Sequence, residues 1–260
     1  MNFQNGYDNF AEFYDTLTAL TDDEDCPETV YTKLLTKNER GILLDLGCGT
    51  GKLSLAAARM GFDVLAVDNS PNMLQAARER FSKAVNSGEE FAFDIQFICQ
   101  NAAQLDLFGT VDVVVCARDT LNHLASKSEF EETVRRVSLF LNPGGVFYFD
   151  VNTKQKHREI LGNNTFTYET DNLFCVWQNN FDDNSAVFAV DIDIDFFSRQ
   201  NQNTDLYERS QCSFTEIAFD EIFISEILTR YGFEFNMSDY YNDGSNAKLL
   251  YICRKTGERN

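Results

Sequence analysis

This 260-residue sequence predicts an α/β fold: a parallel sheet with helices on both faces, interrupted after its fifth strand by an antiparallel block. Three observations carry the prediction. Short apolar runs alternate with helical segments between residues 42 and 151. The first run flows into Asp45-Leu46-Gly47-Cys48-Gly49-Thr50-Gly51, a glycine turn that opens a helix. After residue 160 the helical period vanishes, and Val190, Ile192, Ile194 and Phe196 alternate with Asp191, Asp193 and Asp195. Strand–helix alternation gives a parallel sheet. A period of two marks an antiparallel sheet with one solvated face.

Each element follows from its own pattern. Residues 8–37 read as two helices, with Phe10, Phe13, Tyr14 and Leu17 and then Val30, Leu34 and Leu35 at helical spacing, divided by the acidic loop Asp22-Asp23-Glu24-Asp25. Ile42–Leu46 is strand one, followed by a helix ending near Gly61. Val64–Val67 is strand two. Ser70 caps the next helix, and Pro71 suits its first turn, because the proline lacks only an N–H that would be unpaired there. Ile95–Cys99 is strand three. Val111–Cys116 is strand four, an unbroken apolar run suited to burial on both faces. Ser128 and Glu131 read as a capping box for a helix to about Leu141. Asn142-Pro143-Gly144-Gly145 is a turn before strand five, Val146–Val151. The antiparallel block holds Phe166–Thr170, Phe174–Asn179, Val187–Phe197 and Arg209–Phe214. A helix at Phe219–Tyr231 and a strand pair, Phe233–Tyr240 with Lys248–Cys253, close the chain. The expected domains are 1–160 (N-terminal helices and ligand-binding core), 161–215 (insertion, as acceptor cover or dimer surface) and 216–260 (closing elements of the core).

Composition narrows the function. A formal net charge of −19 repels nucleic acid and anionic membrane, and no Lys/Arg run offsets it. No stretch approaches the ~20 apolar residues of a membrane span. Met1–Asn5 lacks the basic and apolar regions of a leader. Seven scattered cysteines with no C-x-x-C pair predict reduced thiols in a cytoplasmic protein rather than disulfides or a zinc site. Asp191, Asp193 and Asp195 share a strand face, but alternating acids without His or Cys predict a solvated face, and no metal is expected.

The glycine turn brings bare peptide N–H groups close to a ligand. A dinucleotide fold wants G-x-G-x-x-G with pyrophosphate at the helix N-terminus. Here the spacing is G-x-G-x-G, and Asp45 would repel a phosphate while attracting a cation such as the ammonium of a methionine group. Asp68, closing strand two, sits where a carboxylate can accept hydrogen bonds from ribose hydroxyls. The two acids together favour S-adenosylmethionine over a dinucleotide.

Further segments fall in order: Val67-Asp68-Asn69-Ser70-Pro71-Asn72-Met73-Leu74, Gln100-Asn101-Ala102, Val111–Cys116 and Leu141-Asn142-Pro143-Gly144-Gly145. With the glycine loop they make the chain resemble the class I S-adenosylmethionine-dependent methyltransferases over nearly its whole length. The insertion after strand five is similar to that of small-molecule N-methyltransferases of the amino-sugar and glycine type. The resemblance implies a seven-stranded Rossmann-like sheet with its last strand antiparallel and the cofactor at the C-terminal ends of the first strands. It implies that Asp45, Gly47, Cys48 and Gly49 hold the methionine part. Asp68 would bind the ribose, Asn69 and Met73 would flank the adenosine, and Asn101 and Ala102 would contact adenine. Tyr14 would reach the methionine end, with Arg118 nearby.

For the transfer itself, residues 118–124 follow strand four at the sheet edge where ligands bind in this fold class. His123 carries the side-chain type that can change charge near neutral pH, which makes it a candidate general base. Asp119 is the rival, as base or as orienting group. The expected acceptor is a small molecule, with an amine nitrogen favoured over oxygen. A non-catalytic cofactor-binding protein of the same fold is the alternative. Tyr168, Trp177 and Tyr207 can line an acceptor pocket or a homodimer interface. Arg118 or Arg209 could supply a local basic spot for a nucleotide-linked acceptor. His157, among Lys154, Lys156 and Arg158, is expected to be solvated.

Overall fold

The structure is a computed structural model that describes residues 5–21, 26–36, 41–182, 187–200, 206–241 and 243–257. The acidic loop 22–25 lies outside the described residues. Two helices, α1 (Asn5–Thr21) and α2 (Pro27–Leu35), precede the alternating core. That core runs β1 (Ile42–Leu46), α3 (Lys52–Arg59), β2 (Asp63–Asp68), α4 (Pro71–Asn86), β3 (Gln96–Cys99), β4 (Val111–Cys116), α5 (Lys127–Phe140) and β5 (Leu141–Asn152). An antiparallel meander follows: β6 (Thr165–Glu169), β7 (Leu173–Phe181), β8 (Ala189–Arg199) and β9 (Tyr207–Ile217). Then come α6 (Glu221–Arg230), β10 (Phe233–Asp239) and β11 (Lys248–Lys255).

The main sheet has seven strands in the order β10-β11-β5-β4-β1-β2-β3. Its first five strands are parallel, and β11 slots antiparallel between β5 and β10. Strand β4, apolar but for Asp112, sits near the middle of this sheet and is almost wholly buried, as a strand covered on both faces requires. One face packs on α5 and α6 through Phe130, Val134, Ile224 and Leu228. The other packs on α2 and α3 through Tyr31, Leu35, Leu53 and Ala57. A third apolar cluster joins α1 to the meander, with Phe13 stacked on Phe196 at a ring separation of 4.6 Å. Burying these side chains on both sheet faces contributes about 1.5–3 kcal/mol per large residue.

Two helix starts are instructive. Ser70 caps α4 by accepting the Met73 N–H at 3.2 Å, with Pro71 at the first position. The cap of α5 lies two residues earlier than the sequence suggests. Ser126, not Ser128, accepts the Glu129 N–H (3.2 Å), and Glu129 accepts the Ala125 N–H (2.9 Å) in return. Ser126 and Glu129 hold the same three-residue spacing as Ser128 and Glu131, so the motif fitted twice and the preceding loop chose the register.

The antiparallel sheet extends from Thr165 to Ile217. Its buried side faces α1. On the outer side Asp191, Asp193 and Asp195 pair across the strands with Thr215, Ser213 and Arg209. The three acids thus serve cross-strand contacts on the solvated face. Among the described residues no helix is long and apolar enough to cross a membrane, and all seven cysteines are free thiols.

Candidate functional site

Strands β1, β2 and β4 end side by side, and their following loops form one recess. Gly47, Gly49 and Gly51 all have positive φ, at 76°, 53° and 76°, which L side chains adopt only with strain. A Cβ on Gly47 would clash with Thr120, and one on Gly51 would lie 2.8 Å from the Ala77 Cβ. A Cβ on Gly49 would instead face the Tyr14 ring at 3.8 Å. Two glycines therefore serve packing, and the middle one is the one turned toward the recess.

Both acids of the sequence argument are built into this loop. Asp68 ties it down: one oxygen accepts the Gly49 N–H at 2.8 Å and the other the Ser70 N–H at 2.9 Å. Its burial raises its pKa, and those backbone N–H groups oppose the rise. A carboxylate has lone pairs left for further donors such as hydroxyls. Asp45 is 1% exposed, and its one hydrogen-bonding side chain is Ser54, at 2.5 Å. Burial pushes the Asp45 carboxyl up to about 7, against the Ser54 hydrogen bond. A buried acid in that state favours a cation beside it, because a positive charge would restore the ionised form. The donor set thus fits a nucleoside that carries positive charge.

The N-terminal helices close the recess. Asp15 of α1 accepts from Thr50 Oγ1 at 2.8 Å and pairs with Arg80 and with Lys52, the latter at 3.4 Å. This clamp sets the adjacent Tyr14 against the glycine loop, and burial pushes its phenol well above the usual range. Arg118 forms a two-pronged pair with Glu28 of α2, at 3.1 and 3.2 Å. The recess is lined by Tyr14, Glu28, Asp45, Gly47, Cys48 and Arg118 among others. Asn69 and Asn101 sit at the ends of β2 and β3, where Asn101 Oδ1 accepts the Ala103 N–H at 2.8 Å and Ala102 opens a short 3-10 turn. Met73 is 1% exposed and packs in the α1–meander core rather than presenting an open face.

A second polar group lies beside the first, and most of it is not apparent from the sequence. Asp150 of β5 is fully buried. It accepts from Tyr31 Oη (2.5 Å), Arg118 N (3.0 Å), Asp119 N (2.8 Å) and, as an ion pair, Lys248 Nζ (2.9 Å). Those bonds hold Arg118 and Asp119 at φ 59° and 50°, a left-handed pair of non-glycine residues. Asp119 meets Lys248 at 2.8 Å and the Asn152 amide at 2.8 Å. Burial opposes its ionisation, but Lys248, Lys156 and His123 outweigh that and hold the carboxyl well below the usual carboxylate range. Glu216 of β9, 4% exposed, accepts from the same Asn152 amide at 2.9 Å. Lys156 reaches Asn152 Oδ1 at 2.9 Å. Asn122 is fully buried and holds β5 and β9 together through Asn152 and Ile217.

His123 stands at the mouth of this group, partly exposed, its ring 5.3 Å from Phe214. Ligand atoms of Asp119, His123 and Glu216 lie within 4.8 Å of one another. Lys248 and Asn152 already occupy both Asp119 oxygens, so the positive charge at this acid is the lysine's own. Phe10, Tyr14, Trp177 and Phe214 form an aromatic wall opposite, with Phe214 6.0 Å from Phe10 and 6.3 Å from Trp177.

Three expectations change. His157 is not solvated: it is fully buried, on a wide helical turn (Lys156–Leu161) that rotates it inward, with Nε2 3.4 Å from Glu216. Tyr207, expected to line an acceptor pocket or a dimer interface, stacks on Arg199 at the meander's exposed end, away from the recess beside Tyr14. Arg209 is engaged by Asp195 and offers no basic spot at the site. The signals for Glu216 and Asp150 were present but mute, since a lone acid in a strand reads like any other until its neighbours are known.

A methyltransferase-domain family profile matches residues 43–145. YqeM of Bacillus subtilis (strain 168), whose name specifies a methyltransferase without an acceptor, is 30% identical over 258 residues, covering 96% of this chain and 97% of that protein. The solved structure of an S-adenosylmethionine-dependent methyltransferase from Clostridium acetobutylicum ATCC 824 superimposes with a TM-score of 0.81 at 28% identity, covering 97% of this chain and all of that one. The sugar N-methyltransferase KedS8 from Streptoalloteichus sp. ATCC 53650 shares the fold (TM-score 0.72, 16% identity, 94% and 93% coverage). Partial matches include both ubiquinone biosynthesis O-methyltransferases and glycine/sarcosine N-methyltransferases.

Proposed function

We propose that this chain, which belongs to the S-adenosylmethionine-dependent methyltransferases, methylates an amine nitrogen of a small molecule held between the sheet edge and the antiparallel insertion. The observation that carries the reading is the position of His123, with Asp119 and Glu216 around it, directly beyond the donor recess. Acids flanking a titratable base favour an acceptor that arrives as a cation and must lose a proton.

When bound, S-adenosylmethionine supplies a methyl group on a positively charged sulfur. The residues of this chain do the rest. Asp45, Gly47, Cys48 and Gly49 receive the methionine part, with Tyr14 and Arg118 closing over it. Asp68 accepts from the ribose, and Asn69, Asn101 and Ala102 border the base. His123 takes the proton from the acceptor nitrogen, and Asp119, locked by Lys248, orients the amine. Alignment of nitrogen with the methyl carbon can supply several kcal/mol of the barrier reduction. The meander packs its aromatic side against α1 and His123, which favours a cover over the acceptor rather than a dimer surface. Free thiols throughout suit the cytoplasm.

The test is an acceptor screen reading S-adenosylhomocysteine release. Amines should turn over in preference to matched alcohols and phenols. His123→Ala should lower turnover about 100-fold or more while leaving the dissociation constant for S-adenosylmethionine unchanged. Equal activity on hydroxyl acceptors would overturn the nitrogen assignment, and cofactor binding without turnover of any acceptor would support the non-catalytic reading.

A further inference from the structure

His123 is flanked by two carboxylates whose charges are not equally available. Asp119 is neutralised where it stands: Lys248 contacts one oxygen and Asn152 the other. Glu216 feels the charge of Lys156, but its hydrogen-bonding neighbours are Asn152 and His157. Its Oε2 accepts from the neutral Asn152 amide at 2.9 Å and faces His157 Nε2 at 3.4 Å. Its carboxyl is nevertheless held below the usual range: burial opposes ionisation, and the two histidines outweigh it. Asp119 lies in the loop after β4, next to the donor recess, whereas Glu216 comes from β9 of the insertion. A buried, ionised acid acts most strongly on the nearby group that gains a positive charge.

We propose that Glu216 is a positioning residue for His123, delivered by the antiparallel insertion to stabilise the imidazolium formed when His123 takes the acceptor's proton. This rests on His123 being the base. In the step, the acceptor ammonium gives one proton to His123. The freed nitrogen lone pair then forms the new N–C bond as the S–C bond breaks and its electrons remain on sulfur. His123 afterwards returns the proton to solvent, to which it is partly open. Glu216 touches neither nitrogen nor methyl group and acts through the imidazole. The insertion is therefore part of the reaction centre as well as its cover. The other charges facing His123 are Asp68 from β2 and Asp119 from its own loop, with Lys156 and Lys248 acting on Asp119. Lys156 also faces Glu216.

The chain has only two histidines, so imidazole NMR resolves each titration. The full-length protein, saturated with S-adenosylhomocysteine, is titrated with the signals assigned through His123→Gln. In Glu216→Gln, which keeps an oxygen for Asn152, the His123 midpoint should fall by about one unit. Glu216→Asp, which retains the charge at longer range, should lower it less and keeps the idea testable if the amide variant does not fold. The acid limb of the pH–rate profile should move down by the same amount, a shift that a purely structural role would not produce. An unchanged His123 midpoint in either folded variant would overturn the inference alone. Full turnover in folded His123→Ala would instead remove the base assignment beneath it.

Discussion

Asp45, Gly47, Gly49 and Gly51 come from a single turn of chain, and Asp68 joins them from the neighbouring strand through one hydrogen bond to Gly49. The proposed acceptor side is built otherwise: Lys248 and Asp119, in direct contact, are 129 residues apart, and Asn152 and Glu216 are 64 apart. The donor end depends on backbone conformation, since three left-handed glycines and two loop N–H groups define it. The acceptor end depends on side-chain charge brought together by three different sheet segments. Backbone geometry is a local property and leaves a local motif. A charge network is set by tertiary packing, so its members can sit anywhere in the chain. This difference also explains why one family can keep its donor loop while its acceptors diverge.

The comparison can be broken first at Asp150, the one residue that belongs to both ends. Asp150→Ala would take one of the two acid partners from buried Lys248, leaving it Asp119, and release Tyr31 and two peptide N–H groups of the left-handed pair. Urea unfolding should show a loss of about 3–5 kcal/mol. A loss below about 1 kcal/mol would mean the two ends are held apart from this acid. Next in size, Asp68→Ala should weaken S-adenosylmethionine binding about 100-fold by calorimetry, through lost charged hydrogen bonds. A variant that bound as well as the parent would sever the loop from the donor role.

A smaller effect sharpens the donor side. Burial pushes the Asp45 carboxyl up to about 7, from an ordinary value of 3.8. Between those values the folded chain holds a proton that the unfolded chain has released, so this residue's contribution to stability falls as pH rises from about 4 to about 7. A cationic ligand needs the ionised form. Cofactor affinity should therefore rise about tenfold from pH 6 to pH 8 and lose that dependence in Asp45→Asn. A flat profile in the parent protein would show that Asp45 does not face the ligand's charge. The smallest effect belongs outside both ends. Thr215→Val removes the hydroxyl that bonds Asp191 on the solvated face and should change stability by less than about 0.5 kcal/mol, with donor binding and turnover untouched.

How much was legible follows the same division. Strands β1 and β4 fall where their apolar runs place them, and the alternation of Val190 to Phe196 with aspartates identifies β8 with its solvated face. Ser70 was readable as a cap because Pro71 follows it, whereas the α5 cap was misplaced between two equally spaced candidates. His157 was misjudged because its neighbours Lys154, Lys156 and Arg158 look like one solvated face. The wide turn changes the angular spacing and sends the histidine inward. Met73 occupies core that its helical spacing could not distinguish from a ligand-facing position.

By itself the sequence determined the order of strands and helices along the chain, the glycine loop and the two acids built into it. Each depends on interactions among residues close in the chain or on a period that repeats along it. Only the tertiary structure decided that Asp150 clamps a left-handed loop, that Asp119 is already neutralised by Lys248, and that Glu216 from the insertion stands beside His123. Those facts depend on distances across sheets, where a few ångströms decide whether a charge is cancelled, shared or left to act. Spacing along a sequence carries no such distance.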